Sequence, residues 1–210
     1  KFTDAELKAL GPKVTQADVD ALHWHSVKWI TNVKDRKVTV KHSTDNYPIF
    51  MRECVVKEAY GSEQETKVYE PFNCDKGFRF SYTPAGAKPR YYINGLFELK
   101  KAYRDFNAQQ EKEWQAAHED GKPYKEQKLP EAVICSGERD SLCCHSMGYH
   151  PLWFNSETYQ LSADEYKEIM KYVDVLYNIP DIDETGKRKG RELALRFIDI
   201  HTAWLPDKLQ

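Results

Sequence analysis

The sequence has 210 residues, 31 Lys+Arg against 33 Asp+Glu, 40% apolar residues and 13% aromatics. That length suits one large or two small domains with a buried core, and the aromatic content excludes a disordered chain. No apolar run approaches the roughly 20 residues of a spanning helix, and the opening KFTDAELKAL carries no apolar signal segment. Five cysteines without a CxxC pair argue against a disulfide framework or zinc cage and for reduced thiols in a cytoplasmic setting. The first residue is Lys1 rather than Met, so the sequence reads as cut from a longer chain.

Charge is uneven. Residues 1–129 hold 22 Lys+Arg against 19 Asp+Glu, whereas residues 130–210 hold 9 against 14. An acidic second half suggests a cation site, and a mildly basic first half suits contact with polyanions.

Taken in chain order, Thr3-Asp4-Ala5-Glu6 predicts a capped helix that Gly11-Pro12 stops, and Thr15 starts a second short one ending near His23. The period then drops to two. VKWITNV, a KDRK turn and VTVKH predict a hairpin made basic by Lys28, Lys34, Arg36, Lys37 and Lys41, with Trp29 interleaved. PIFMRECVV, TKVYEPF, GFRFSYT and RYYINGL are further strand candidates, so 27–96 reads as a mainly antiparallel sheet. Phe97 to about His118 has helical periodicity. The polar stretch after it, with two prolines and a glycine, predicts a linker over 119–130.

Beyond it, AVICSG, HPLWFN, VDVLYNI and HTAWLP are apolar strands separated by helical segments. That alternation predicts a parallel α/β sheet with right-handed crossovers. The expected fold class is therefore a mixed, mainly antiparallel α+β subdomain over 1–118, the linker, and an α/β domain over 131–210.

In parallel sheets ligands gather at the carboxyl ends of strands. Two acidic loops fall there. One is Gly137-Glu138-Arg139-Asp140; the other is Asp181-Ile182-Asp183-Glu184-Thr185-Gly186. In an extended segment Asp181 and Asp183 point the same way. Hard oxygens in an open loop suit Mg²⁺ or Mn²⁺, which keep waters and bridge to phosphates. The competing role for each acid is to cap the following helix. His23 and His25 flank Trp24 and would share a face on a strand, but no acid or cysteine stands beside them in sequence.

SGERDSL followed about forty residues later by DIDETG resembles the TOPRIM domain of bacterial- and phage-type primases, topoisomerases and some nucleases. The family pattern is a strand ending in Glu-Gly-x-x-Asp, then Asp-x-Asp-x-x-Gly. Asp181, Asp183 and Gly186 match the second motif; Gly137 and Asp140 match the first, with Ser136 where the family has its glutamate. Glu138 is the nearest substitute. The stretch GFRFSYTPAGAKPRYYINGLFELKKA is similar to the segment that precedes TOPRIM in primases. The resemblance implies the RNA-polymerase core of a DNA primase. Its partners would be a single-stranded DNA template and nucleoside triphosphates, with a helicase or a zinc-binding module in the same or a partner chain.

It implies catalytic roles for Glu138, Asp181 and Asp183 and metal binding by Asp140, Asp181 and Asp183. Phosphate or template contacts would come from Lys88, Arg90 and Arg79. Lys187, opening a basic helix start, is a further phosphate candidate. With Ser136 in the glutamate's place, a nucleic-acid-binding module of a mobile-element replication protein stays open, as does a TOPRIM nuclease.

Overall fold

A computed structural model describes residues 1–54, 65–83, 93–117, 122–155 and 159–206. The chain divides into two compact units, Lys1–Tyr92 and Ile93–Gln210. Among the described residues no helix is long and apolar enough to cross a membrane.

The first unit opens with helices α1 (Asp4–Leu10) and α2 (Gln16–Ala21). Each begins with a reciprocal capping box, Thr3 with Glu6 and Thr15 with Asp18, which satisfies free N–H groups of the first turn. Glu6 also accepts a hydrogen bond from Ser26 Oγ, tying α1 to the sheet. Strands β1 (Trp24–Val27), β4 (Ile49–Cys54), β5 (Glu65–Tyr69) and β6 (Phe80–Thr83) form an antiparallel sheet in the order β1-β4-β5-β6. Its aromatics interlock: Phe2 stacks on Phe50, Trp24 meets Tyr69 edge-on at 6.0 Å, and Tyr69 stacks on Phe80 at 4.5 Å. Among the described residues, strands β2 (Trp29–Lys34) and β3 (Lys37–His42) pair only with each other, as a two-stranded ribbon.

The expected single sheet over 27–96 is thus divided. The ribbon stands apart from the four-stranded sheet, Lys76–Phe78 is a 3-10 turn rather than strand, and Ile93–Asn94 belongs to the second unit. His23 lies in the left-handed region (φ 58°) after α2, outside the strand, and His25 pairs with Glu53 at 3.1 Å, so the two histidines do not act as one ligand pair.

The second unit contains β7 (Ile93–Asn94), α3 (Leu96–Ala117), β8 (Leu129–Cys135), α4 (Glu138–Ser146), β9 (Pro151–Phe154), α5 (Ala163–Ile169), β10 (Val173–Ile179), α6 (Glu184–Arg196) and β11 (Ile200–Thr202). The sheet order is β11-β10-β8-β9-β7, parallel except for β7, which runs antiparallel to β9. All four strands read from the apolar runs are present. Their inner faces form one core of Ile134, Leu152, Leu161, Ile169, Val173, Leu176 and neighbours.

Helix α3 contributes Leu99, Tyr103 and Phe106 to that core. The division between compact units therefore falls at 92/93, whereas the composition shift suggested 118/119. The described part of the expected linker is also held down. Asn107 of α3 donates to Gln127 O and accepts from Gln127 N (2.8 Å) and from Tyr124 OH (2.7 Å). A buried amide satisfied this way fixes the strand approach as firmly as a ladder bond would.

Candidate functional site

The chain leaves β8 for β9 on one side, then crosses to β10 on the other side of β8. Such a reversal of strand order opens a crevice outside the carboxyl ends of the strands. Both acidic loops emerge there from adjacent strands. Cys135, the last residue of β8, is register partner of Ile179, the last of β10. Segments 44 residues apart in sequence thereby start from neighbouring points.

After β8 the chain passes Ser136 and enters α4 with Gly137 as an N-cap that offers no side-chain bond. Ser136 Oγ donates to Ile179 O at 3.3 Å, a stitch between the two loops. Glu138, first residue of α4, is buried, while Asp140 in the same first turn lies at the rim. The Asp140 carboxyl loses hydration to surrounding protein, although the residue as a whole is exposed. With the negative charge of Asp181 close by, this holds it above the usual carboxylate range. Arg139 pulls in the opposite direction with a smaller effect. The structure thus brings Asp140 and Asp181 within electrostatic reach of one another.

Asp183 acts first as the cap of α6. Its Oδ1 accepts from Gly186 N at 2.7 Å, and its carbonyl accepts from Lys187 N at 2.9 Å. The capping role and the ligand role were alternatives in the sequence; one oxygen of Asp183 takes the former. Gly186 has a steric reason. A Cβ there would stand 2.4 Å from Asp181 O and 2.7 Å from Asp181 Cβ, so only glycine lets α6 begin against the backbone of Asp181.

Among the described residues no three His, Cys, Asp or Glu side chains group closely enough to hold a metal ion by themselves. The donor chemistry at Asp140 and Asp181 nevertheless fits a hard divalent cation. Two carboxylates repel each other at an open rim, and Mg²⁺ commonly takes only one or two carboxylates, filling its octahedron with water and phosphate oxygens.

Other predicted residues are placed as follows. Lys187 is in the first turn and a half of α6, half-buried. The neighbouring Arg188 and Lys189 both pair with Glu192, at 3.0 and 2.7 Å. Arg79 belongs to the first unit, just before β6, with Nε donating to Asn73 O at 3.4 Å. Lys88 and Arg90 lie outside the described residues. Cys135 and Cys144 are buried beside Val133 and Trp153 as packing thiols, and a shared hydrogen bond together with burial pushes the Cys135 thiol up.

Sequence reasoning did not find the cavity beside the acids. It encloses about 390 Å³ and is bordered by Ser136, Asn178, Asp181 and the α6 face carrying Lys189 and Arg196. Phe154 and Tyr159, stacked at 4.6 Å, form one wall. Its lining comes from several distant segments, and beyond Ser136, Asp181 and Gly186 none of them belongs to a motif.

No family model and no curated protein sequence matches the chain. Solved structures do. The chain resembles a DnaG primase catalytic domain bound to ssDNA (12% identity, TM-score 0.58, 97% of this chain), a DnaG catalytic core (9%, 0.60, 97%) and the E. coli primase catalytic core (12%, 0.56, 96%). It spans 64%, 66% and 64% of the length of those three chains. At these identities the likeness establishes a primase-type fold.

Proposed function

We propose that the chain is the nucleotidyl-transfer core of a DNA primase, joining nucleoside triphosphates on a single-stranded DNA template. The observation that supports this reading is that the loops carrying Asp140 and Asp181 leave the carboxyl ends of adjacent parallel strands, with the charge of Asp181 felt at Asp140, in a fold shared with primase cores.

Asp140 and Asp181, with the free oxygen of Asp183, would hold Mg²⁺ or Mn²⁺, which neutralises triphosphate charge and makes the attacking 3′-hydroxyl more acidic. The chain's own part is positional. Gly186 sets the backbone of Asp181, the Asp183 cap fixes the start of α6, and Ser136 links the two loops. Glu138 is the acid nearest to the position of the family glutamate and is proposed as a catalytic group. Lys88, Arg90, Arg79 and Lys187 are proposed to receive phosphates of nucleotide or template, where fixed cations stabilise developing charge. A cytoplasmic setting and a helicase or zinc-binding partner belong to the same reading.

One observation favours a second reading. Ser136 stands where a general acid/base is expected, and its hydroxyl is engaged by Ile179 O. A protein that binds metal and single-stranded DNA without turnover, as an accessory module in a mobile-element replication protein, meets that description. Template-dependent primer synthesis with Mg²⁺ or Mn²⁺ separates the readings. Synthesis abolished by Asp181→Asn/Asp183→Asn supports the primase; DNA binding without synthesis supports the module; strand cleavage indicates a nuclease.

A further inference from the structure

Among the described residues the ribbon of β2 and β3 has no third strand, and isolated two-stranded ribbons are marginal in water. Its register sorts the side chains. Trp29, Thr31 and Val33 lie opposite His42, Val40 and Val38 on one face. On that face Trp29 is 56% exposed, Val33 70%, Val38 63% and Val40 52%, an apolar strip left open to solvent. On the opposite face Lys41 reaches back to Glu70 at 2.5 Å and to Tyr47 OH at 3.4 Å, fastening the base of the ribbon to the first unit. The tip is a tight turn with Asp35 and Arg36 both at positive φ (50° and 60°), the geometry of a type I′ hairpin whose twist matches its strands.

The charge is one-sided. Residues 28–42 contain five Lys or Arg and a single acid, in a chain whose net charge is −2. Lys28, Arg36 and Lys37 are exposed at the two ends of the ribbon, Lys28 next to Trp29 in the chain, Arg36 and Lys37 at the tip, with Lys37 on the face of Lys41. A protein-docking face depletes charge at its centre and keeps a polar rim; this ribbon carries five cations against one acid within fifteen residues that include an exposed indole. An indole face with flanking cations matches the stacking platform and electrostatic track of single-stranded nucleic acid.

We infer that the β2–β3 ribbon is a single-strand-binding finger along which the strand runs, with one base stacked on Trp29 beside Lys28 at the base and phosphates further along held by Arg36 and Lys37 at the tip. This rests on the reading that the chain works on a single-stranded template, yet its residues are separate from the acids of the second unit.

The test uses the whole chain and a fluorescein-labelled mixed-sequence single-stranded DNA, followed by anisotropy over a salt series. Trp29→Ala is expected to weaken binding about 5- to 100-fold, and Trp29→Phe to restore most of it. Lys28→Ala/Arg36→Ala/Lys37→Ala is expected to flatten the slope of log K against log salt by about 2, at roughly 0.7 per phosphate contact. Matching circular dichroism between variants and wild type checks folding. Asp181→Asn is expected to bind as wild type even though it loses synthesis, so binding through the finger and turnover at the acids are read apart. Wild-type affinity and salt slope in both ribbon variants overturn the finger while leaving the primase reading intact. A wild-type protein with no affinity for the DNA overturns the finger and the primase reading together. A dimer that Val38→Lys disperses, with DNA affinity unchanged, also overturns the finger, because the strip is then covered by a second copy.

Discussion

Gly186→Ala isolates the steric demand at the start of α6. Two effects compete. Alanine gains helix propensity, at most about 1 kcal/mol and less in a first turn. Against it, the new methyl meets Asp181 O at 2.4 Å, a backbone atom that cannot swing aside as a side-chain end can. Inserting a methyl into a filled site costs typically about 1–3 kcal/mol, so the clash wins by roughly 1–2 kcal/mol. Each kcal/mol lowers Tm by about 2–4 °C in a chain of this size, predicting a fall of roughly 2–8 °C by circular dichroism. Gly137→Ala is the control. Its φ of −166° is extended, its Cβ would meet only Asp140 Oδ2 at 3.9 Å, and it forfeits only a modest cap preference of about 0.5 kcal/mol. Primer synthesis should fall with Gly186→Ala beyond what the lost folded fraction explains, because relief of the clash moves Asp181. A Gly186→Ala protein as stable as wild type would refute the close approach of α6 to Asp181.

Three further expectations follow from the charges and from Ser136. Glu168 is held at about 2 by Lys100 at 2.6 Å and Lys171 at 2.7 Å. Its stabilisation is present above the ordinary carboxylate pKa and is lost as pH falls from about 4.5 towards 2. After discounting for screening, Glu168→Gln should cost about 1–2 kcal/mol at pH 7 in denaturant titrations, and the gap should close in acid. Asp140, held high, works the other way: its ionisation opposes folding as pH rises through its own range, so Asp140→Asn should raise Tm at pH 7. Millimolar Mg²⁺ should raise the wild-type Tm and erase that difference; a Tm lowered by the substitution without Mg²⁺, or a difference that Mg²⁺ leaves unchanged, counts against the acid pair. Ser136→Glu has the adjoining cavity to extend into and should raise primer synthesis; unchanged metal affinity and turnover would speak against the site.

The second unit was legible because its strands are continuous apolar runs at regular spacing, which only a sheet covered on both faces requires. Asp181, Asp183 and Gly186 were legible as a motif, and the adjacency of Cys135 and Ile179 gives that motif its spatial meaning. The double duty of Asp183 was not, since one acid before a helix serves as cap or ligand with the same spelling. Nor was the allegiance of α3. Its apolar stripe at Leu99, Tyr103 and Phe106 announces a buried face without saying which sheet covers it. GFRFSYT shows the related failure, where aromatic β-formers promise a strand from Gly77 but tertiary pairing keeps only Phe80–Thr83; of RYYINGL, the first three residues lie outside the described ones and Ile93–Asn94 is strand. The cavity walls come from separate elements and have no linear signature.

The short outer strands of the second unit have a consequence for solubility. One edge, β7, is two residues long and the other, β11, three. Asn94 of β7 turns its side-chain amide to Trp153 O and Asn155 Oδ1. Among the described residues an intruding chain finds no extended row of open amides on which to propagate, a feature that works against edge-to-edge stacking of an aromatic-rich parallel sheet into fibrils.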